Sequence, residues 1–261
     1  MGKNFTYVPG AEFPYQYKYE HMAVTTDCVI FTYEDWKLKV LLVRRGAEPY
    51  KGQWAFPGGF LKMDETAREG ALRELREETA LEPSAIGQLG VFSTVDRDPR
   101  ERVITIAWYA LVKPSEVVGG DDADEAAWFP VDDLPPLAFD HREIFETAME
   151  QLRRDIHFQP VGFDLLDEEF TIPDLQRLYE AILGVKFDRR NFQRKLIASG
   201  ILENANGFEE AAEMCLDSLC IMPESSPSAP RKARQGRPGL LFRLNRKKYD
   251  EMKEDGGKLE F

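Results

Sequence analysis

Runs of apolar and β-branched residues make the first part of the chain strand-rich. Residues 23–33 (AVTTDCVIFTY) and 38–45 (LKVLLVRR) predict a hairpin across the intervening EDWK. Residues 50–60 (YKGQWAFPGGF) predict a short strand and a glycine loop. Residues 64–79 (DETAREGALRELREET) predict a helix, with Asp64 as N-cap and Leu72 and Leu75 apolar at a spacing of three. Pro83 bars its continuation. Residues 86–95 and 102–112 (RVITIAWYALV) read as strands joined by the charged loop DRDPRE. Residues 125–131 read as a last strand, Leu134-Pro135-Pro136 breaks the chain, and 140–157 is helical. The first part is therefore a mixed α+β domain with one helix of chemical interest.

The pattern changes after a linker near residues 158–163. Residues 171–183 predict a helix capped by Thr171 with Pro173 in its first turn, and 188–199 a second helix capped by Asp188. Four residues including Gly184 separate them, a helix-turn-helix spacing. Residues 201–204 and 239–244 then pair as strands, which predicts a winged helix. Between those strands lies an acidic stretch followed by PESSPSAPRKARQGRP, read as a mobile insertion over about 205–236. The expected division is 1–158 and 159–261. No internal repeat is visible.

Composition sharpens this division. A chain of 261 residues allows one to two domains at about 150 residues each. With 43% hydrophobic and 31% charged residues it is an ordinary globular composition. No apolar run reaches the roughly 18 residues that span a bilayer, and the first residues lack the apolar core of a secretory leader. Cys28, Cys215 and Cys220 have no metal-site spacing, which predicts reduced thiols and a cytoplasmic location. The net charge of −12 argues against non-specific nucleic-acid binding by the chain as a whole. That charge is unevenly spread: −10 falls on residues 1–159 and −2 on 160–261, and residues 231–248 hold eight basic residues and no acid. An acidic first part and a locally basic second part predict two jobs.

The chemistry concentrates in residues 59–81, GFLKMDETAREGALRELREETAL. Glu74, Glu77 and Glu78 stand three and four apart, so a helix gathers them on one face about 5–6 Å from each other. Clustered carboxylates repel unless a cation neutralises them, and oxygen-only ligands suit Mg²⁺, with Mn²⁺ as the alternative. Arg73, four residues before Glu77, can orient that carboxylate. Gly58-Gly59 allows a tight turn and a close approach to ligand. The same spacing also suits a solvated acidic helix face.

The segment resembles the Nudix box: glycine, five residues, glutamate, seven residues, then Arg-Glu-apolar-any-Glu-Glu-any-Gly-apolar. Gly59, Glu65, Arg73, Glu74, Leu75, Glu77, Glu78 and Leu81 fit; Ala80 stands where the pattern has glycine. Glycine there would ease a left-handed helix exit. The resemblance implies a Nudix α/β/α sandwich with a mixed sheet, and hydrolysis of a nucleoside diphosphate linked to another moiety. It makes Glu74, Glu77 and Glu78 metal ligands, adds the Gly59 carbonyl, and has Arg73 orient a glutamate while Glu65 supports the loop. The general base is not fixed by the motif; Asp96, Asp98 and Glu101 are candidates. Arg44, Arg45, Arg97 and Arg102 suit pyrophosphate. Trp54, Tyr50 or Trp128 suits stacking on a base, with core packing as the alternative role for each.

In the second part, Arg189, Arg190, Asn191, Gln193, Arg194 and Lys195 crowd the second helix of the helix-turn-helix, residue types that read phosphates and base edges. Phe192, Leu196 and Ile197 mark its buried face. The basic run, with Arg237, predicts a wing over the phosphate backbone. The chain over residues 20–249 resembles the Nudix-type transcriptional regulators, which fuse a Nudix domain to a C-terminal winged helix. The matching stretches are Ala138-Phe139-Asp140-His141, Pro160-Val161-Gly162-Phe163, FTIPDLQRLYEAILG, DRRNFQRKL and residues 236–238. The resemblance implies a homodimer on a double-stranded DNA operator and an ADP-ribose or sugar-derived effector. In that family the box is frequently eroded, whereas the carboxylates here are intact. Three readings follow: a DNA-binding hydrolase of an ADP-ribose-like compound, a non-catalytic regulator, or a hydrolase whose winged helix only dimerises.

Overall fold

The computed structural model describes residues 5–7, 9, 15–17, 19–117, 119, 123–158, 160–205 and 240–254. Most of the predicted insertion, and Arg237 with it, lies outside the described residues.

A small ladder, β1 (Phe5–Tyr7) with β2 (Tyr15–Tyr17), precedes the main sheet. That sheet contains β3 (Ala23–Glu34), β4 (Lys37–Arg45), β5 (Trp54–Ala55), β6 (Gly58–Phe60), β7 (Gly87–Phe92), β8 (Val103–Leu111) and β9 (Ala123–Pro130). The order is β5-β4-β3-β8-β7, with β9 also on β4 and β6 also on β3. β3 runs parallel to β8 and antiparallel to β4 and β6, so the sheet is mixed. Asp35 and Trp36 join β3 to β4 with φ of 52° and 63°, the left-handed pair of a tight hairpin turn. On the edge of β3 away from β8, Thr25–Asp27 pairs with β6 while residues 31–34 pair with β4. The two partners diverge there, and the candidate site opens beside them.

Alternation along β3 and β4 builds two cores. Cys28, Ile30 and Leu41 face Ala71 and Leu75 of α1 (Ala67–Thr79). Val29, Phe31, Val40 and Leu42 face Ile144, Ala148 and Leu152 of α2 (His141–Phe158). This is the expected α/β/α sandwich. α1 starts two residues later than Asp64 would set it. The Thr66 hydroxyl accepts from Glu69 N–H while the Glu69 carboxylate accepts from Thr66 N–H at 2.8 Å, a reciprocal cap that Asp64 does not make.

A 3-10 turn (Pro160–Leu165) leads into α3 (Ile172–Leu183), capped by Thr171, and α4 (Arg189–Ala198), capped by Asp188. β10 (Leu202–Asn204) pairs with β11 (Phe242–Leu244), and Phe170 exchanges two backbone hydrogen bonds with Phe242. This is the winged helix. α5 (Arg246–Glu254) follows, where the pattern had suggested only a basic run; its buried Tyr249 anchors it. The second core continues without a break through Ile156 and Phe163 to Leu175, Tyr179 and Phe192. Across the join, Arg153 Nε donates to Ile182 O at 3.2 Å and the Arg177 guanidinium stacks 4.4 Å from the Trp36 ring. Among the described residues, no helix is long and apolar enough to cross a membrane.

Candidate functional site

The glycine loop and α1 meet through Arg73. Its Nε and Nη2 grip Glu65 at 2.8 and 2.6 Å, and Nη1 donates to Glu74 at 2.7 Å and Glu77 at 2.9 Å. Nη2 also reaches Phe60 O at 3.3 Å. One guanidinium thereby fixes the loop, the helix and two carboxylates. These hydrogen bonds hold the Glu65 carboxyl down to about 2. Burial pushes Glu74 up, and the nearby Glu77 charge adds to that, against the pull of Arg73. Glu78 is buried and accepts Gly58 N–H at 2.9 Å. Gly59 lies against Glu74 so closely that a Cβ there would fall 2.5 Å from Oε1. A side chain at 59 would have to displace the Glu74 carboxylate that Arg73 holds.

Among the described residues, no group of three metal-binding side chains converges on one point. Arg73 stands between Glu74 and Glu77, and Glu78 turns to the Gly58 amide. The donor set is nonetheless three carboxylates on adjacent turns around a glycine, the chemistry of a hard divalent cation.

A cavity opens beside this loop, between β4, β6 and the start of α2. Arg44, Arg45, Glu48, Glu78, Arg97, Asp98, Arg100, Phe139 and His141 are among its walls. Phe139 has φ 53°, a left-handed conformation that is rare for a bulky side chain. Its ring carries the Arg45 guanidinium at 4.7 Å and that of Arg100 at 5.9 Å. Burial lowers Arg45, and the Arg100 charge lowers it further. Asp98 is the resident anion beside them, accepting Arg100 Nη2 at 2.7 Å.

Below them Arg97 pairs with Asp140 through Nε and Nη2 at 2.8 and 2.6 Å, and its Nη2 lies 3.8 Å from Asp27. His141 is buried; its Nδ1 accepts Phe56 N–H at 2.9 Å and its Nε2 lies 3.5 Å from Asp27 Oδ1. Burial lowers His141 and keeps it neutral. Burial raises Asp98, but the Arg100 hydrogen bonds outweigh it and hold Asp98 below the usual range.

The sequence-predicted residues divide. Glu78, Gly59, Arg44, Arg45, Arg97 and Asp98 line the cavity, and Glu74, Glu77 and Arg73 adjoin it through Gly59. Arg102 lies off the cavity, with its guanidinium on the Ser93 and Thr94 carbonyls. Trp54 packs edge-on against Phe129 at 4.6 Å, and Trp128 donates to Ser115 O. Tyr50 meets the cavity wall through Phe139 at 4.8 Å. Asp96 and Glu101 are exposed and outside the lining. Sequence reasoning assigned no site role to Thr25, Asp27, Phe60, Arg100, Phe139 or His141, although Phe139 and His141 stand in the stretch 138–141 that carries the family resemblance. Polar Thr25 and Asp27 at alternate positions of an apolar strand were a second available signal.

On α4, Phe192 and Leu196 are buried, while Arg189, Arg190, Arg194 and Lys195 are exposed. Asn191 and Gln193 are half-buried, and Asn191 Oδ1 accepts Arg194 Nη2 at 2.8 Å. Lys247 and Lys248 of α5 are exposed as well. A basic helix face beside a wing fits a phosphate backbone.

Residues 22–148 match the NUDIX domain family, and residues 162–213 match the NrtR DNA-binding winged helix domain. An ADP-ribose pyrophosphatase of Methanocaldococcus jannaschii is 44% identical over 131 residues, 50% of this chain and 75% of that protein. The "ADPR responsive transcriptional repressor NtrR" of Acinetobacter baylyi is 29% identical over 193 residues, 72% of this chain and 77% of that protein. The structure of Shewanella oneidensis NrtR complexed with a 27mer DNA superposes with a TM-score of 0.63 at 30% identity, covering 87% of this chain and 95% of that one.

Proposed function

The chain belongs to the Nudix family and carries an NrtR-type winged helix, and from this we propose a DNA-binding hydrolase of ADP-ribose or a close relative. The observation that carries the catalytic half is the complete carboxylate set Glu74, Glu77 and Glu78 beside an arginine-walled cavity. Relatives with an ADP-ribose pyrophosphatase name and an ADPR-responsive repressor name support the ligand.

In this reading Glu74, Glu77, Glu78 and the Gly59 carbonyl hold Mg²⁺ or Mn²⁺. Such an ion polarises a phosphoryl oxygen and acidifies water. Arg45 and Arg100, stacked on Phe139, receive the pyrophosphate, with Arg44 at the rim and Arg97 beneath. Arg73 and Glu65 keep the loop and helix in register. Asp98 is the candidate base within the cavity, masked by Arg100 until an anion draws that guanidinium away.

Residues 159–261 form the DNA-binding half, with Arg189, Arg190, Asn191, Gln193, Arg194 and Lys195 toward a double-stranded operator and residues 1–158 forming the Nudix half. The reading carries with it a homodimer, because two-fold operators are read by two-fold proteins, and a cytoplasmic location follows from the DNA-binding role.

The test is AMP release from ADP-ribose with Mg²⁺. Turnover is expected, and Glu78→Gln should remove it, a fall larger than the roughly 10–100-fold that losing a group supporting a metal ligand costs. Thermal stabilisation by ADP-ribose without turnover in the wild-type protein would replace hydrolysis with sensing alone.

A further inference from the structure

Phe139 combines a left-handed backbone, a ring in the cavity wall and a place just ahead of α2. A φ of 53° is costly for a bulky side chain and persists only where the surroundings over-determine it. Its neighbours on both sides are pinned. Ala138 N–H donates to Trp54 O at 2.8 Å, Asp140 accepts two Arg97 nitrogens at 2.8 and 2.6 Å, and His141 Nδ1 accepts Phe56 N–H at 2.9 Å. The ring is held as well, by Arg45 at 4.7 Å, Arg100 at 5.9 Å and the edge of Tyr50 at 4.8 Å. The first two of these contacts are cation–π attractions, which last only while a guanidinium lies over the ring.

Both guanidiniums can be drawn away. The Arg100 side chain is 39% exposed, Arg45 is half-buried, and both line the cavity. A phosphate oxygen is a stronger partner for a guanidinium than an aromatic face, so an anion in the cavity competes with the ring for each. α2 is the route outward. Its 18 residues extend roughly 27 Å at 1.5 Å per residue. Ile144, Ala148, Leu152 and Ile156 along its length share one core with Tyr179 of α3 and Phe192 of α4. A close-packed core transmits displacement, so a shift in the first turn of α2 reaches the winged helix.

We propose that Phe139 is a conformational trigger: an anion that takes Arg45 and Arg100 off its ring releases the left-handed backbone at residue 139, and α2 carries the change to α3 and α4. This rests on the reading of the cavity as a nucleoside diphosphate site and of α4 as a DNA-binding face.

The experiment measures, by fluorescence anisotropy, the affinity of the full chain for a DNA duplex that the protein itself enriches from a random-sequence pool. It is run with Mg²⁺, with and without a methylene-bridged ADP-ribose analogue whose P–C–P link resists hydrolysis, at a concentration that saturates each variant. In wild type the analogue should change the Kd for DNA by about fivefold or more. Phe139→Gly takes the same φ without strain and has no ring, and should bring that change to within about twofold of none. Phe139→Tyr keeps the ring and should retain a response within about twofold of wild type. A full response in Phe139→Gly, or a lost one in Phe139→Tyr, would overturn the trigger. If Phe139→Gly does not fold, Phe139→Leu decides: it keeps apolar bulk without a π face and should lose the response, and a wild-type response would overturn the proposal. Wild type that binds both ligands with no effect of one on the other would overturn the trigger while leaving both binding readings intact. Failure to enrich DNA or to bind the analogue would reject the corresponding reading, and the trigger with it.

Discussion

Ala80 ends α1 with φ 61° and ψ 15°, its N–H bonded to Arg76 O. A Cβ in this left-handed region costs about 1–2 kcal/mol, which glycine avoids, while glycine's freer unfolded chain gives back about 0.4–1 kcal/mol. Ala80→Gly should therefore stabilise by roughly 1 kcal/mol and raise the melting temperature by about 2–4 °C. Thermal unfolding of the two proteins side by side checks this, and an unchanged midpoint would mean the exit is unstrained. The departure was legible in the sequence because the motif fixes the position and left-handed backbone fixes the residue type. Arg100 and Phe139 were not legible in the same way. Their meeting with Arg45 depends on two loops closing over the end of β4, and local pattern carries no such information.

The elements were legible where a cap or a turn marks them. Thr171 and Asp188 cap α3 and α4 as expected, because a side-chain oxygen two or three residues ahead of exposed N–H groups is a local signal. The start of α1 was displaced because Asp64 and Thr66 both qualify as caps, and only Thr66 has Glu69 at the reciprocal spacing. α5 escaped because RKKYDEMKE offers little apolar periodicity. At the other end of the chain's spine, α2 begins on the cavity floor with buried, neutral His141. An unfolded histidine titrates near 6.5, and burial lowers the folded value, so the unfolded state binds the extra proton first. The stability from neutral His141 is fully present above about pH 6.5 and is lost as pH falls towards the lower folded value. His141→Asn keeps an acceptor near Phe56 N–H without titrating. Its urea midpoint should fall less than that of wild type between pH 7 and 5; parallel curves would unlink His141. For α4, Arg190→Ala with Arg194→Ala should weaken operator binding and lower the slope of log K against log salt by about 2, one per phosphate contact. Fluorescence anisotropy across a salt series measures it, and an unaltered slope would move the DNA surface off this helix face.

At the scale of the whole molecule, two binding surfaces share one apolar core. The cluster that covers the sheet face runs through α2 into Leu175, Leu178, Tyr179 and Phe192 of the winged helix. Polar ties reinforce the join: Arg153 to the Ile182 carbonyl, and Arg177 on Trp36. The first residue of α2, His141, lines the cavity, and the helix's last turns contact α3 through Ile156, whose carbonyl accepts the Tyr179 hydroxyl at 3.5 Å. A shared core of this kind resists opening one half without the other, so the slowest-exchanging amides of both halves should report a single global unfolding event. ADP-ribose at about a hundred times its Kd should then add roughly 2.7 kcal/mol of protection to both halves alike. Hydrogen exchange read on peptides from 28–43 and from 172–198 tests this directly. Equal gains would show that occupancy of the cavity is felt at the DNA-binding helices through the folding equilibrium itself. Protection confined to residues 22–148 would mean the two halves unfold separately, and any effect of ligand on DNA binding would then have to pass through a rearrangement at the join rather than through common stability.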